Sequence, residues 1–354
     1  MDHAVYRKKW LRLREDAPDA ERLQQLAREI AFSFTDKYFQ NGTYVDEYID
    51  LLCEMATSCA SEELGNIVSS PLFELIVEKL CDDFEDLPIE VYSRVMCQVV
   101  SHCRAAPAGK DLDRRLTDFG MISFTQLYER AVTIHTRQHR WDGGRTPRKI
   151  ILLSRVTLGA DVAILSVMIQ HLQHLFPQAG IVILGSRKLH GLFGGNPGVR
   201  IRELSYARRG GLFDRFAGWH AALEILREET GDGDPHDVLV IDPDSRISQL
   251  GVLPLVDGDR YLFFNTRHHL LASAGRCMAE WTNDWMKAVF DADDFHHPTV
   301  WLPPAIAEEA RSRIDALRTA GAQRIIAMNL GVGQNLRKRV SDEFERRLLR
   351  TLVA

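Results

Sequence analysis

The chain has 354 residues, longer than one typical domain, so two or more are expected. Hydrophobic residues make up 45% and charged residues 26%, proportions that exclude a disordered chain and supply a sizeable core. A formal net charge of -5 argues against a broad nucleic-acid-binding surface. No apolar run approaches the ~18 residues of a membrane span, and the start "MDHAVYRKKWLRLRED" lacks a signal-peptide core, which makes the cytoplasm the expected compartment.

Residues 1–142 read as a helical bundle. In "TYVDEYIDLLCEMATSC" the positions Val45, Tyr48, Leu52, Met55 and Cys59 alternate steps of three and four, one face of an amphipathic helix. Ser70 and Pro71 predict a helix start at "PLFELIVEKL", as cap and first helical residue, and Pro88 predicts another at "LPIEVYSRVMCQVV". No nucleophile, base and orienting group can be picked out of this region, which therefore reads as a scaffold or a module for docking a protein partner. Its five cysteines (Cys53, Cys59, Cys81, Cys97, Cys103) and Cys277 match no zinc framework and read as buried thiols. His171 and His174, three apart on a later helix, and the doublets His268–His269 and His296–His297 lack carboxylate or cysteine companions at ligand spacing, so no metal is expected.

"WDGGRTPRK" is a linker by composition and places a boundary at about 142–148. Beyond it, "KIILLSRV", "AGIVILG", "DVLVID" and "RYLFFNT" are short apolar runs suited to strands buried on both faces. Between them lie helical stretches such as "FAGWHAALEILREET" and "LLASAGRCMAEWTNDWMKAVF". This alternation predicts an α/β fold, a Rossmann-like parallel sheet over residues 148–304, with ligands expected outside the carboxyl ends of the strands. Asp161 lies at such an end. It precedes a stripe of Val162, Leu165, Ile169, Leu172 and Phe176 that Pro177 closes, so it sits at the start of a helix, where an acid stabilises the dipole by ~0.3–1 kcal/mol even with no other role. "TLGADVA" holds only Gly159, so it is not a G-x-G-x-x-G dinucleotide fingerprint, and Asp161 would repel an anion. A nucleotide-dependent oxidoreductase is disfavoured and a hydroxylic substrate suits the turn better.

"IILLSRVTLGADVAILSVMIQHLQHLFPQAGIVILGS" followed by "LFGGNPGVRI" resembles the opening of glycosyltransferase family 9, the heptosyltransferase-like enzymes of lipopolysaccharide biosynthesis. "RIIAMNLGVGQNLRKRVSDEFERRLL" resembles the start of their second domain. The resemblance covers about residues 148–354. It implies a GT-B architecture of two Rossmann-like domains, the first holding a saccharide or glycolipid acceptor and the second a nucleotide-diphosphate sugar. Residues 305–354 would be an interdomain helix with the first strand and helix of a truncated donor domain. Asp161 corresponds to the general base of the family's L-G-D turn, with Gly159 beside it on the acceptor side. Gly331 and Gly333 would let backbone N–H groups approach the diphosphate, and Lys338, with Arg337 or Arg339, would offset its charge. The turn reads L-G-A-D, one residue longer than in the family, "KRV" stands for K-R-W-P, and no later D-S/T-G-P-x-H segment follows.

On the acceptor side, Asp242, Asp244 and Arg246 of "VLVIDPDSR" end a strand, either lining the cleft or forming a tight Asp-Pro turn. Arg208 and Arg209 of "YARRGG" are candidates for an acceptor phosphate or an anionic lipid surface. Two readings follow. One is a metal-free glycosyltransferase acting at the inner membrane face, inactive as this chain. The other is a non-catalytic glycosyltransferase-like scaffold or carbohydrate-binding protein working through its helical region.

Overall fold

A computed structural model describes residues 2–15, 19–59, 61–82, 89–141, 145–267, 275–331 and 339–353. The chain divides into two compact units, Met1–Pro303 and Pro304–Ala354.

The first unit begins with the helices His3–Glu15, Ala20–Asn41, Asp46–Thr57, Glu62–Pro71, Ile89–Ala105, Lys110–Asp118 and Phe124–Thr136. Their ends carry ordinary chemistry. Asp19, Ser61 and Ser123 each accept a first-turn backbone N–H, and Gly42 closes the second helix at φ 64°. Asp46–Thr57 buries Tyr48, Leu52 and Met55 as the three-and-four stepping predicts. The start expected at Ser70–Pro71 is not there. The helix starts at Glu62, Pro71 lies inside it, and the turn Leu72–Val77 is a π-helix. Proline has no N–H to give its i−4 carbonyl, and a local departure from i→i−4 bonding lets the helix run on instead of ending. Pro88 and residues 142–144 of the linker lie outside the described residues.

Five strands follow: β1 Lys149–Leu153, β2 Gly180–Gly185, β3 Val199–Glu203, β4 Val238–Asp242 and β5 Tyr261–Phe263. All pairs are parallel, in the order β3-β2-β1-β4-β5, a Rossmann-like sheet with β1 at its centre. In β1 every residue from Ile150 to Leu153 is fully buried, because side chains alternate between two cores. Ile150 and Leu152 join Leu165, Met168 and Ile169 of the following helix and Met286 of the helix Met278–Phe290. Ile151 and Leu153 join Trp219 of the helix Ala217–Thr230 and Phe73, Val95 and Val100 of the N-terminal helices. The N-terminal helices thus share one hydrophobic core with the sheet, and the change of character near residue 145 is a change of secondary structure inside a single compact unit.

The second unit contains the helices Pro304–Thr319 and Asp342–Val353. "RIIAMNL", residues 324–330, is not a strand, and Ile325 and Ile326 are 41% and 60% exposed. Extended backbone needs a neighbour's N–H and C=O groups, and the described residues of this unit contain no strand to supply them. No described helix is long and apolar enough to cross a membrane.

Candidate functional site

The sheet order fixes where ligands have room to bind. The chain runs from β1 outward through β2 to β3, then returns to the other side of β1 for β4 and β5. The carboxyl ends of β1 and β4 therefore flank the topological switch point, where helices leave in opposite directions and open parallel sheets form their crevice. Asp161, Asp242 and Asp244 all lie at or just beyond the ends of these two strands, and Arg155 and Asp244, far apart in sequence, meet there as an ion pair at 2.7 Å.

Asp161 is 1% exposed. The helix after β1 opens at Leu158 and passes through a π-turn, Asp161–Leu165, before continuing as Ser166–Leu175. That wide turn shifts the phase of the predicted stripe: Leu165, Ile169 and Leu172 are buried as expected, whereas Val162 and Phe176 are only half-buried. Asp161 points back at the strand end. Its Oδ2 accepts from Ser154 Oγ at 2.8 Å and its Oδ1 from the backbone N–H of Arg155 at 2.7 Å. Burial raises its pKa to about 6 against these two bonds and the Arg155 charge, all of which favour the carboxylate. Beside it Val156, a β-branched residue, is held at φ 66°, with its N–H on Ser154 Oγ. Such a conformation costs on the order of 1–3 kcal/mol and survives only where the surroundings impose it. Gly159, two residues before Asp161, is exposed, and a Cβ there would meet nothing within 4 Å, so packing does not demand glycine.

The segment after β4 lies in the interior. Asp242 is fully buried, with Oδ1 accepting from Ser245 N at 2.6 Å and Oδ2 from the hydroxyls of Ser248 and Tyr261; burial raises its pKa to about 6 as well. Asp244, 1% exposed at φ 48°, pairs with Arg155 at 2.7 Å and Arg267 at 2.6 Å and accepts from Thr266 Oγ1 at 2.6 Å. Arg246, 7% exposed, reaches Glu78 of the N-terminal region at 3.0 Å. The helices grip the rest of the loop. Tyr92 donates to Gln249, Arg130 to the carbonyls of Gly251 and Val252, and His135 Nε2 lies 2.7 Å from the Leu250 carbonyl. These three residues, read as either lining a cleft or forming a tight turn, have their charges met by the chain's own groups. Asp242 adopts the Asx-type turn that its sequence allows, with the backbone N–H of Ser245 on its carboxylate.

Other expected residues are dispersed. Arg208 and Arg209 are exposed in the loop after β3. Gly331 and Arg339 belong to the second unit, where Arg339 pairs with Asp342 at 2.7 Å; Gly333, Arg337 and Lys338 lie outside the described residues, as do His268 and His269. His171 is buried on Asn283, at 2.9 Å, while His174 is exposed, so the two do not converge. No described group of three or more His, Cys, Asp or Glu residues is placed to hold a metal. Cys277 is exposed rather than buried, because it caps the helix Met278–Phe290 in a capping box with Glu280.

Sequence reasoning missed Ser154, Arg155, Thr266 and Arg267, which carry the clamp and the ion pairs. The signal for Arg155 was an arginine set directly after an apolar strand, where a solvent-facing turn residue would need no charge partner. The chain matches no protein-family model, no curated protein and no solved structure.

Proposed function

We propose that the protein transfers a sugar from a nucleotide-diphosphate donor to a saccharide or glycolipid acceptor, with Asp161 as the general base. The observation that carries this reading is a carboxylate at the carboxyl end of the central strand, at the switch point, with its pKa raised to about 6. A base with a pKa near the working pH is both ionised and strong enough to take a proton from an attacking hydroxyl. The strained Val156 next to it is of the kind that clusters at functional turns. In this scheme Ser154 and the Arg155 N–H orient the carboxylate, the acceptor enters over the exposed edge at Thr157–Gly159, and Arg208 and Arg209 meet its anionic groups. Asp242, Asp244 and Arg246 keep the strand ends in place. Gly331, Gly333, Arg337, Lys338 and Arg339 serve the donor diphosphate, and the architecture is of the GT-B type, working in the cytoplasm beside the inner membrane face.

A second reading is a non-catalytic carbohydrate-binding relative. It is favoured by the near-complete burial of Asp161, with both carboxylate oxygens engaged by the chain itself. The test is Asp161→Asn in the protein expressed from its complete gene, assayed with a panel of nucleotide sugars. Under the first reading turnover falls by two or more orders of magnitude with donor affinity unchanged. Under the second, saccharide binds, no donor is turned over, and the variant binds like the parent.

A further inference from the structure

A groove of about 560 Å³ separates the helix Glu62–Pro71 and its continuation from the loop after β3, within the size range of small-molecule sites. One wall carries Glu62, Glu63, Asn66, Ser70 and Glu74; the other carries Arg208, Arg209 and Arg215. Arg215 is 3% exposed. Its Nη1 donates to the Ala207 carbonyl at 3.1 Å and its guanidinium lies 3.9 Å from the Phe73 ring centroid, yet its Nε has no hydrogen-bond partner and no carboxylate of the described residues pairs with it. A guanidinium out of water without a counter-ion is unfavourable, and an anion in the groove would remove that penalty.

The opposite wall is acidic and open to water. Glu62, Glu63 and Glu74 are exposed and, like Arg208 and Arg209, form no ion pair among the described residues, so the walls face each other across a gap wider than a salt bridge. The loop is fixed in that position. Gly210 is held at φ 110°, Gly211 donates its N–H to Asp214 at 2.8 Å, and a Cβ on Gly211 would come within 2.2 Å of Asn66 Oδ1. Only glycines let the loop lie this close to the helix while the arginines face the groove. A second hollow of about 760 Å³ continues from Glu62 and Asn66 past Leu112, Phe213 and His220, which gives length for a further ring.

We infer that this groove binds an acidic saccharide, its phosphate or carboxylate on the arginine wall and its hydroxyls donating to the glutamate wall. A bare anion would use only the first wall and a neutral sugar or a cation only the second. The inference rests on the saccharide reading of the sheet above and gives the N-terminal helices a direct part in it, as one wall of the ligand site.

Calorimetric titration of the 354-residue chain tests it, with inorganic phosphate, a hexose 6-phosphate, glucuronate and the free hexose as probes. The hexose phosphate or glucuronate is expected to bind at least tenfold more tightly than phosphate or hexose, and which of the two does so assigns the anion. The double variant Arg208→Ala/Arg209→Ala should lose at least tenfold. Glu62→Ala/Glu63→Ala, which removes the acceptors, should reduce the acidic sugar's affinity toward that of the bare anion. All four substitutions are at exposed positions, and circular dichroism checks that the variants fold. Asp161→Asn should bind like the parent, so a failure of catalysis leaves this result standing. An acidic sugar that binds no better than phosphate, or equally well to the double arginine variant, overturns the inference while leaving the role of Asp161 untouched.

Discussion

The strand ends of the sheet and the groove beside the loop after β3 hold the same kinds of side chain in different surroundings, the first buried and the second open. At the strand ends each buried carboxylate is met by the chain. Asp161 has Ser154 and the Arg155 N–H, Asp242 has Ser245, Ser248 and Tyr261, and Asp244 has Arg155, Arg267 and Thr266. In the groove a buried arginine and three exposed glutamates have no charged partner among the described residues. Internal satisfaction stabilises a fold, and unmet charge in a concave surface marks a place for a ligand. The difference separates carboxylates held by the chain, at the strand ends, from charged side chains that line an open groove.

The comparison breaks most visibly at Asp244. Asp244→Ala leaves Arg155 and Arg267 buried without their shared counter-ion and should cost about 3–5 kcal/mol in urea unfolding. A loss below about 1 kcal/mol would mean that the two arginines find water or another acid, so that Asp244 is not their essential counter-ion.

The pH dependence sharpens it further. Asp161 and Asp242 have pKa values raised from 3.8 to about 6, so the folded state binds protons the unfolded state has released. Their contribution is full below pH 3.8 and is lost as pH rises through about 6. His135 has the opposite sign. Burial lowers its pKa from 6.5 to about 4, so its contribution is full above pH 6.5 and is lost as pH falls toward 4. Between pH 4 and 6 the two effects oppose each other in the parent. Asp161→Asn should remove about 2 kcal/mol of the decline between pH 4.5 and 7.5, at ~1.4 kcal/mol per unit. Unfolding free energies at pH 4.5 and 7.5 check this, and an unchanged difference between them would place Asp161 in contact with solvent.

A smaller effect belongs to the contact between the helices and the loop after β4. Tyr92→Phe removes the donor to Gln249, which is held at φ 53°, and should cost about 1–2 kcal/mol, with no change in groove binding. Loss of ligand affinity in this variant would show that the two regions are coupled.

Much of the sheet was legible because β1, β2 and β4 are apolar runs with no competing helical period. β3 was harder, since "VRIRE" sits at the sheet edge and alternates arginine with half-buried residues. What one sequence does not contain is the strand order, and the order alone places Asp161 opposite the end of β4. The depth of the loop after β4 has a sequence signature: after Arg246 the stretch "ISQLGVLPLV" has no charge and six aliphatic residues, too apolar for a solvent-exposed edge. It is buried because the N-terminal helices lie on it, through Tyr92, Arg130 and His135. The groove was half legible. "YARRGG" drew notice for its charge, but Arg215 and the glutamate wall required the tertiary contact between regions more than 140 residues apart, seen where Ser69 Oγ meets the Gly210 carbonyl.

The central claim, that Asp161 is the base of a sugar transfer, is tested most directly by the pH dependence of turnover in the protein expressed from its complete gene, parent against Asp161→Asn. With Asp161 as the base, the rate should rise with pH through an apparent pKa near 6 in the parent and fall a hundredfold or more in the variant, with the acid limb abolished. Turnover within a few-fold of the parent, with the limb retained, would contradict it and reduce Asp161 to the clamp that holds β1 to its helix.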